Sequence, residues 1–90
     1  MNKAELIVLV ANQTNISRAQ ARDAIEAITA NITTALKGGS EVRIVGFGAF
    51  VPIDRPAGPT RNPRTGKMVH RDATRTVRFR MGEALKAAMN

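Results

Sequence analysis

Cysteine, tryptophan and tyrosine are absent from the chain, and histidine occurs once. Without cysteine there can be no disulfide framework, no thiolate zinc site and no cysteine nucleophile. His70 has no cysteine or carboxylate cluster beside it in the sequence, so it reads as an incidental residue, not a metal ligand. Ser17 is better explained as a helix cap than as a nucleophile, and no Ser/His/Asp set forms a plausible site. An enzyme is therefore the least favoured class, and no cofactor, metal or small-molecule substrate is expected. Long apolar runs are missing too. The longest, Leu6 to Ala11, falls far short of the ~20 residues that a transmembrane helix needs. Asn12, Gln13 and Asn15 follow it where a signal peptide would carry a small-residue cleavage site. The expectation is a soluble cytoplasmic protein with no membrane partner.

Acidic residues are scarce. Seven stand against fourteen basic ones, leaving a net charge of +7 in 90 residues. Such an excess points to a polyanionic partner. It is also uneven: residues 1–45 carry a net +1 and residues 46–90 a net +6. Eight basic residues lie between Arg55 and Arg80 against a single acid, Asp72. A face that is merely solvated normally intersperses acids with its bases. A near-neutral scaffold followed by a binding surface fits better. Hydrophobic residues at 43% are enough for a packed core.

The first half predicts two helices. Asn2 with Glu5 caps a helix over Ala4 to Ala11, and Val8 beside Leu6, Ile7, Leu9 and Val10 makes it apolar most of the way round. Such a helix wants burial on more than one side. Thr14-Asn15 breaks it. Ser17-Arg-Ala-Gln20 is a capping box, in which Ser17 bonds the Gln20 N–H and Gln20 reaches back to the cap. Ala21, Ala24, Ile25, Ile28, Ile32 and Leu36 then form one stripe of an amphipathic helix. Gly38-Gly39 ends it.

The second half switches to period two. Val42 and Ile44 alternate with Glu41 and Arg43 in a short strand, Gly46-Phe47-Gly48 turns with Phe47 folded into the core, and a strand runs from Ala49 to Ile53. From Thr74 to Met81, Val77, Phe79 and Met81 share one face, with Thr76, Arg78 and Arg80 on the other. Gly82 precedes a last helix, Glu83 to Met89. Between the strands, Asp54 to Ala73 is polar, basic and unable to bury itself. Pro56, Pro59 and Pro63 restrict it to edge strands and turns. Asn62-Pro63-Arg64-Thr65-Gly66 is a strong turn signal, so the segment predicts a protruding two-stranded arm. Removing the arm leaves a body of about seventy residues, for which a lone core is only marginally stabilising. With the all-round apolar first helix, this predicts a dimer.

These residues carry a resemblance. The opening Met1-Asn2-Lys3-Ala4-Glu5-Leu6, the Gly46-Phe47-Gly48-Ala49-Phe50 segment, the arm tip Arg61-Asn62-Pro63-Arg64-Thr65-Gly66-Lys67 and the closing Val77-Arg78-Phe79-Arg80-Met81-Gly82-Glu83-Ala84-Leu85-Lys86 all match in order and spacing. The whole chain resembles the HU/IHF family of bacterial nucleoid-associated, DNA-bending proteins. The resemblance implies one α+β domain over residues 1–90, with a helical dimerisation part at 1–38 and sheet and C-terminal helix at 39–90. It further implies a helical hairpin, a three-stranded antiparallel sheet, a β-ribbon arm at about 54–73 and an intertwined dimer whose arms reach around DNA in the minor groove. Ile53, Gly58 and Pro59 stand where many relatives carry basic residues, and Thr60 where glycine is usual. These departures imply weaker arm affinity, with Pro52, Pro56 and Pro59 stiffening the base.

Side-chain chemistry agrees. Ten of the fourteen basic residues are arginine, whose planar, weakly hydrated guanidinium suits a narrow electronegative groove at Arg55, Arg61 and Arg64. That groove offers a degenerate base pattern, so low sequence specificity is expected. Pro63 is an apolar wedge able to part a base step, while Lys3, Arg75, Arg78, Arg80 and Lys86 are expected on phosphates. With Asn62, Thr65, Gly66, Lys67 and Arg71 these complete the expected DNA-binding set. Phe47, Phe50 and Phe79 are expected to pack in the core, not to stack on bases. The function expected is architectural binding and bending of double-stranded DNA by a homodimer in the nucleoid, with bent, nicked or gapped forms preferred. An IHF-like subunit with sequence preference is the nearest alternative. A basic RNA-binding or ribosome-associated protein is disfavoured because A-form RNA presents a shallow minor groove.

Overall fold

A computed structural model describes all ninety residues, Met1–Asn90. In chain order the elements are α1 (Lys3–Thr14), α2 (Arg18–Lys37), β1 (Val42–Ile44), β2 (Gly48–Arg55), β3 (Gly58–Arg61), β4 (Met68–Arg71), β5 (Thr74–Met81) and α3 (Glu83–Met89). This is the expected α+β order, with the arm resolved into β3 and β4. The chain divides into two compact units, Met1–Thr34 and Ala35–Asn90. The division falls inside α2, a few residues ahead of the glycine pair.

In the first unit, local chemistry fixes the helix ends. Asn2 Oδ1 accepts from Glu5 N at 2.9 Å and starts α1. The helix runs on past Ala11 to Thr14 and ends at Asn15, which takes the left-handed conformation (φ 59°). Ile16 N then returns to the Ala11 carbonyl at 3.1 Å. The capping box forms in both directions, Gln20 N to Ser17 Oγ and Ser17 N to Gln20 Oε1, each at 3.0 Å. Ala11 and Ala21 are buried, whereas Leu6 and Leu9 are each 39% exposed and Ile28 is 55% exposed.

The second unit opens with the last turn of α2. Ser40 N bonds the Ala35 carbonyl and Gly39 N the Leu36 carbonyl, with Gly39 at φ 86°. That closure is the Schellman arrangement. The sheet that follows is antiparallel in the order β1-β2-β5. Its register defines two faces, because directly paired residues share a side. Val42, Phe50 and Phe79 form one row, Ile44, Gly48 and Met81 the next, and Pro52 pairs with Val77. That face is apolar. The opposite face carries the row Arg43, Ala49, Arg80, then Val51 with Arg78 and Ile53 with Thr76.

Two details depart from expectation. The first hairpin turns one residue earlier than Gly46-Phe47-Gly48, with Phe47 N bonded to the Ile44 carbonyl at 3.0 Å and Gly46 at φ 85°. Gly48 lies in β2 and serves close approach instead: a Cβ there would stand 2.5 Å from both the Arg80 carbonyl oxygen and the Phe79 ring. Phe47 is also not enclosed. The phenylalanines pack on one another, with ring centroids 5.4 Å apart for Phe47–Phe79 and 5.0 Å for Phe50–Phe79. Yet Phe47 and Phe79 remain 44% and 41% exposed in the single chain.

Pro52 is tolerated in the central strand because β1 begins opposite Phe50, leaving no strand on its open side to receive an N–H. The β2–β5 ladder therefore continues as a two-stranded ribbon to Arg55↔Thr74. Pairing lapses at Pro56-Ala57 and Asp72-Ala73, and resumes from Gly58↔Arg71 to Arg61↔Met68. No helix of the chain is long and apolar enough to cross a membrane.

Candidate nucleic-acid interface

The arm ends in a turn built by its own residues. Asn62 N donates to the Lys67 carbonyl and Gly66 N to the Asn62 carbonyl, both at 2.8 Å. Asn62 Oδ1 accepts from Arg64 N at 2.9 Å, and Thr65 Oγ1 accepts from Lys67 N at 3.3 Å. Gly66 sits at φ 72°, a conformation that a side chain would strain. Asn62, Thr65 and Gly66 thus shape the tip. What they present is Pro63, exposed at the apex, with Arg61, Arg64 and Lys67 exposed around it. At about 3.3 Å per residue, the ribbon from Arg55 to Pro63 extends roughly 25 Å.

Charge on this surface is largely uncompensated. Arg55, Arg61, Arg64, Lys67, Arg71, Arg78 and Lys86 form no salt bridge with any carboxylate. Arg71 instead lies across the lapse in pairing and donates from Nη2 to the Pro56 carbonyl at 3.4 Å. His70, on the arm's return strand, has only Asp72, at 3.4 Å. On the sheet, Arg80 Nη2 reaches Glu41 Oε1 at 3.1 Å and Arg43 Nη2 reaches Glu41 Oε2 at 3.7 Å. One carboxylate therefore serves two guanidiniums, and the Arg43, Arg78 and Arg80 face stays net positive. Lys3 pairs with Glu26 at 3.2 Å, both more than half exposed. Such exposed pairs contribute about 0–1 kcal/mol and yield readily to a phosphate.

Arg75 is the exception. Its Nε and Nη2 meet the two carboxylate oxygens of Asp54 at 2.5 and 3.4 Å. Its Nη1 donates to the Leu36 carbonyl at 3.4 Å and to the Lys37 carbonyl. The hydrogen bond to Asp54, and then its charge, raise the Arg75 pKa above the ordinary arginine value, against desolvation. Like any arginine, Arg75 stays charged at ordinary pH.

Arg43 shares the outward face with Arg78 and Arg80, a placement not legible in the sequence. It is separated from Arg80 by 37 positions, and only the β1-β2-β5 register puts the two on one face. Its alternation with Val42 and Ile44 was the available signal, since an outward basic residue on a strand can join a neighbour's.

A family model described as "Bacterial DNA-binding protein" matches residues 1–90. DNA-binding protein HU of Caulobacter vibrioides is 49% identical over 88 residues, covering 98% of this chain and 96% of the relative. DNA-binding protein HU-beta of Escherichia coli K12 is 46% identical over 90 residues, the full length of both. Among solved structures, an Anabaena HU–DNA cocrystal structure superposes with a TM-score of 0.83 at 34% identity, covering 99% of this chain and 97% of that one. HU from Thermotoga maritima superposes with a TM-score of 0.71 at 29% identity over the full length of both. With the sheet, the arm and its tip matched over the whole length, this chain belongs to the HU family of bacterial DNA-binding proteins.

Proposed function

We propose that this chain is an architectural protein of the nucleoid, a homodimer that binds double-stranded DNA with little regard to sequence and bends it. The observation that carries the reading is the arm: a slender ribbon with an exposed proline at its apex and cations free of acidic partners along it. A minor groove only ~6 Å wide admits such a tip and offers little base information once it is there. Pro63 is the wedge, and unstacking a step costs a few kcal/mol, offset by the contacts that bent DNA makes with the protein. Arg55, Arg61, Arg64 and Lys67 anchor the arm, while Arg78, Arg80 and Lys86 take phosphates nearer the sheet, with Lys3 on α1 adding another. That the Anabaena relative was crystallised with DNA supports the same reading.

The homodimer is supported by how little one chain buries. Only Ala11, Ala21, Leu36 and Ala49 are buried among the hydrophobic residues, while Val77, Phe79 and Met81 are 41–52% exposed on the apolar sheet face. An apolar face of that kind on a folded protein calls for a partner surface.

Electrostatic binding gives the direct test. Log affinity should fall with log salt at about −0.9 per phosphate contact, steeply if several are made. Arg61→Ala should flatten the slope and weaken binding to every duplex alike, by mobility shift across several sequences. Loss confined to particular sequences would favour an IHF-like reader. Equal affinity for duplex RNA would favour the RNA reading.

A further inference from the structure

Arg75 is the one arginine of the basic half with all three guanidinium nitrogens engaged by protein acceptors. It also stands where leverage on the arm is greatest. Asp54↔Arg75 is the next-to-last pair of the β2–β5 ladder, and beyond Arg55↔Thr74 both strands are unpaired for two residues. A lone two-stranded ribbon is marginally stable, so a gap in its ladder is a natural pivot. We infer that Arg75 is a positioning residue, a strut that ties the root of the arm to the last turn of α2, and not a phosphate ligand. This rests on the DNA-bending reading above.

The geometry makes arginine specific to the task. One edge of the fork closes on Asp54, across the ladder, and so clamps both strands of the root together. The remaining nitrogen meets the Leu36 carbonyl, which already accepts from Gly39 N, and the Lys37 carbonyl, at the helix end where the dipole favours a cation. The Schellman turn makes room for it: even a Cβ at Gly39 would lie 3.8 Å from the guanidinium. A lysine ammonium is a point charge and cannot span carboxylate and carbonyls in one plane. The consequence for bending is mechanical. A wedge at the tip of an arm roughly 25 Å long works only if the root resists rotation. With a loose root, the arm would follow a straight groove and keep its contacts without kinking the duplex.

The test uses the full chain with Arg75→Lys, Arg75→Gln and the milder Asp54→Asn. Without DNA, backbone ¹⁵N relaxation should show lower order parameters for the amides of Gly58 to Arg71 in all three. With DNA, end-to-end energy transfer in a labelled duplex should show reduced bending. The salt slope should change by less than about 0.9 per arm, the share of one phosphate contact. Parental bending in Arg75→Lys would overturn the inference, because a phosphate contact tolerates that exchange. So would a tighter, more salt-dependent Asp54→Asn, the result expected if Asp54 merely restrains a phosphate-seeking arginine. Should the parent itself fail to bend DNA, the function reading falls. The relaxation data still decide the strut, and an arm as ordered in Arg75→Gln as in the parent would end it.

Discussion

Pro63 has no N–H to donate, and the tip asks for none there, since Asn62, Arg64, Gly66 and Lys67 supply the turn's backbone and side-chain bonds. Its ring is free to act on a ligand. Pro63→Ala keeps every charge and nearly all of the turn while removing the wedge. The variant should hold near-parental affinity for intact duplex at low salt, yet lose both bending and any preference for nicked or gapped DNA. Energy transfer between duplex ends, read beside affinity, separates the two effects. Undiminished bending would reduce Pro63 to a turn residue. Arg75 and Arg78, three positions apart on one strand, show how far single residues of one type diverge. Arg78 faces outward with no acidic partner, whereas Arg75 is held by Asp54 and a helix end.

Among the elements, α2 depends most on its first turn. Ser17 and Gln20 satisfy two backbone donors reciprocally at 3.0 Å, and such caps contribute about 1 kcal/mol. Ser17→Ala should therefore lower stability by about 1 kcal/mol per chain in urea denaturation, leaving the salt slope of DNA binding unchanged. A change in that slope would place Ser17 in the interface. The sheet depends on register in the same way. Ala49 between Arg43 and Arg80 keeps the middle of that row small, so both arginines reach Glu41. Gly48 clears the apolar face for the Phe79 ring.

At the scale of the whole molecule, the apolar surface left open is the dominant fact. No large side chain is fully buried within the chain, and fourteen large hydrophobic residues are exposed. Folding and association should therefore be a single event, with no stable folded monomer. A tenfold rise in protein concentration adds about 1.4 kcal/mol per dimer and should raise the thermal midpoint by roughly 3–5 °C. Calorimetry over a hundredfold concentration range checks this. A midpoint independent of concentration, from a species that sediments as a monomer, would refute the dimer. The same surface explains why apolar α1 and the Val77, Phe79 and Met81 face look over-hydrophobic for a chain of this size.

Sequence alone determined whatever short-range chemistry governs. Asn2, Ser17 with Gln20, and Gly39 marked helix ends because caps act within a few residues. The Val77, Phe79 and Met81 alternation marked a strand, and Asn62 to Gly66 marked the arm tip, because turns are closed by their own side chains. The accumulation of arginine without acids marked the strongly basic half. Tertiary structure decided what depends on pairing between distant segments. Register joined Arg43 to Arg80, turned Gly48 from a loop glycine into a contact point, and let Pro52 sit in a central strand beyond the reach of β1. It also gave Arg75 its protein partners. An arginine between two threonines on a basic strand looks like any other until the fold brings Asp54 and the carbonyls of Leu36 and Lys37 to meet it. Periodicity tells which way a side chain points, but only the folded chain determines what waits there.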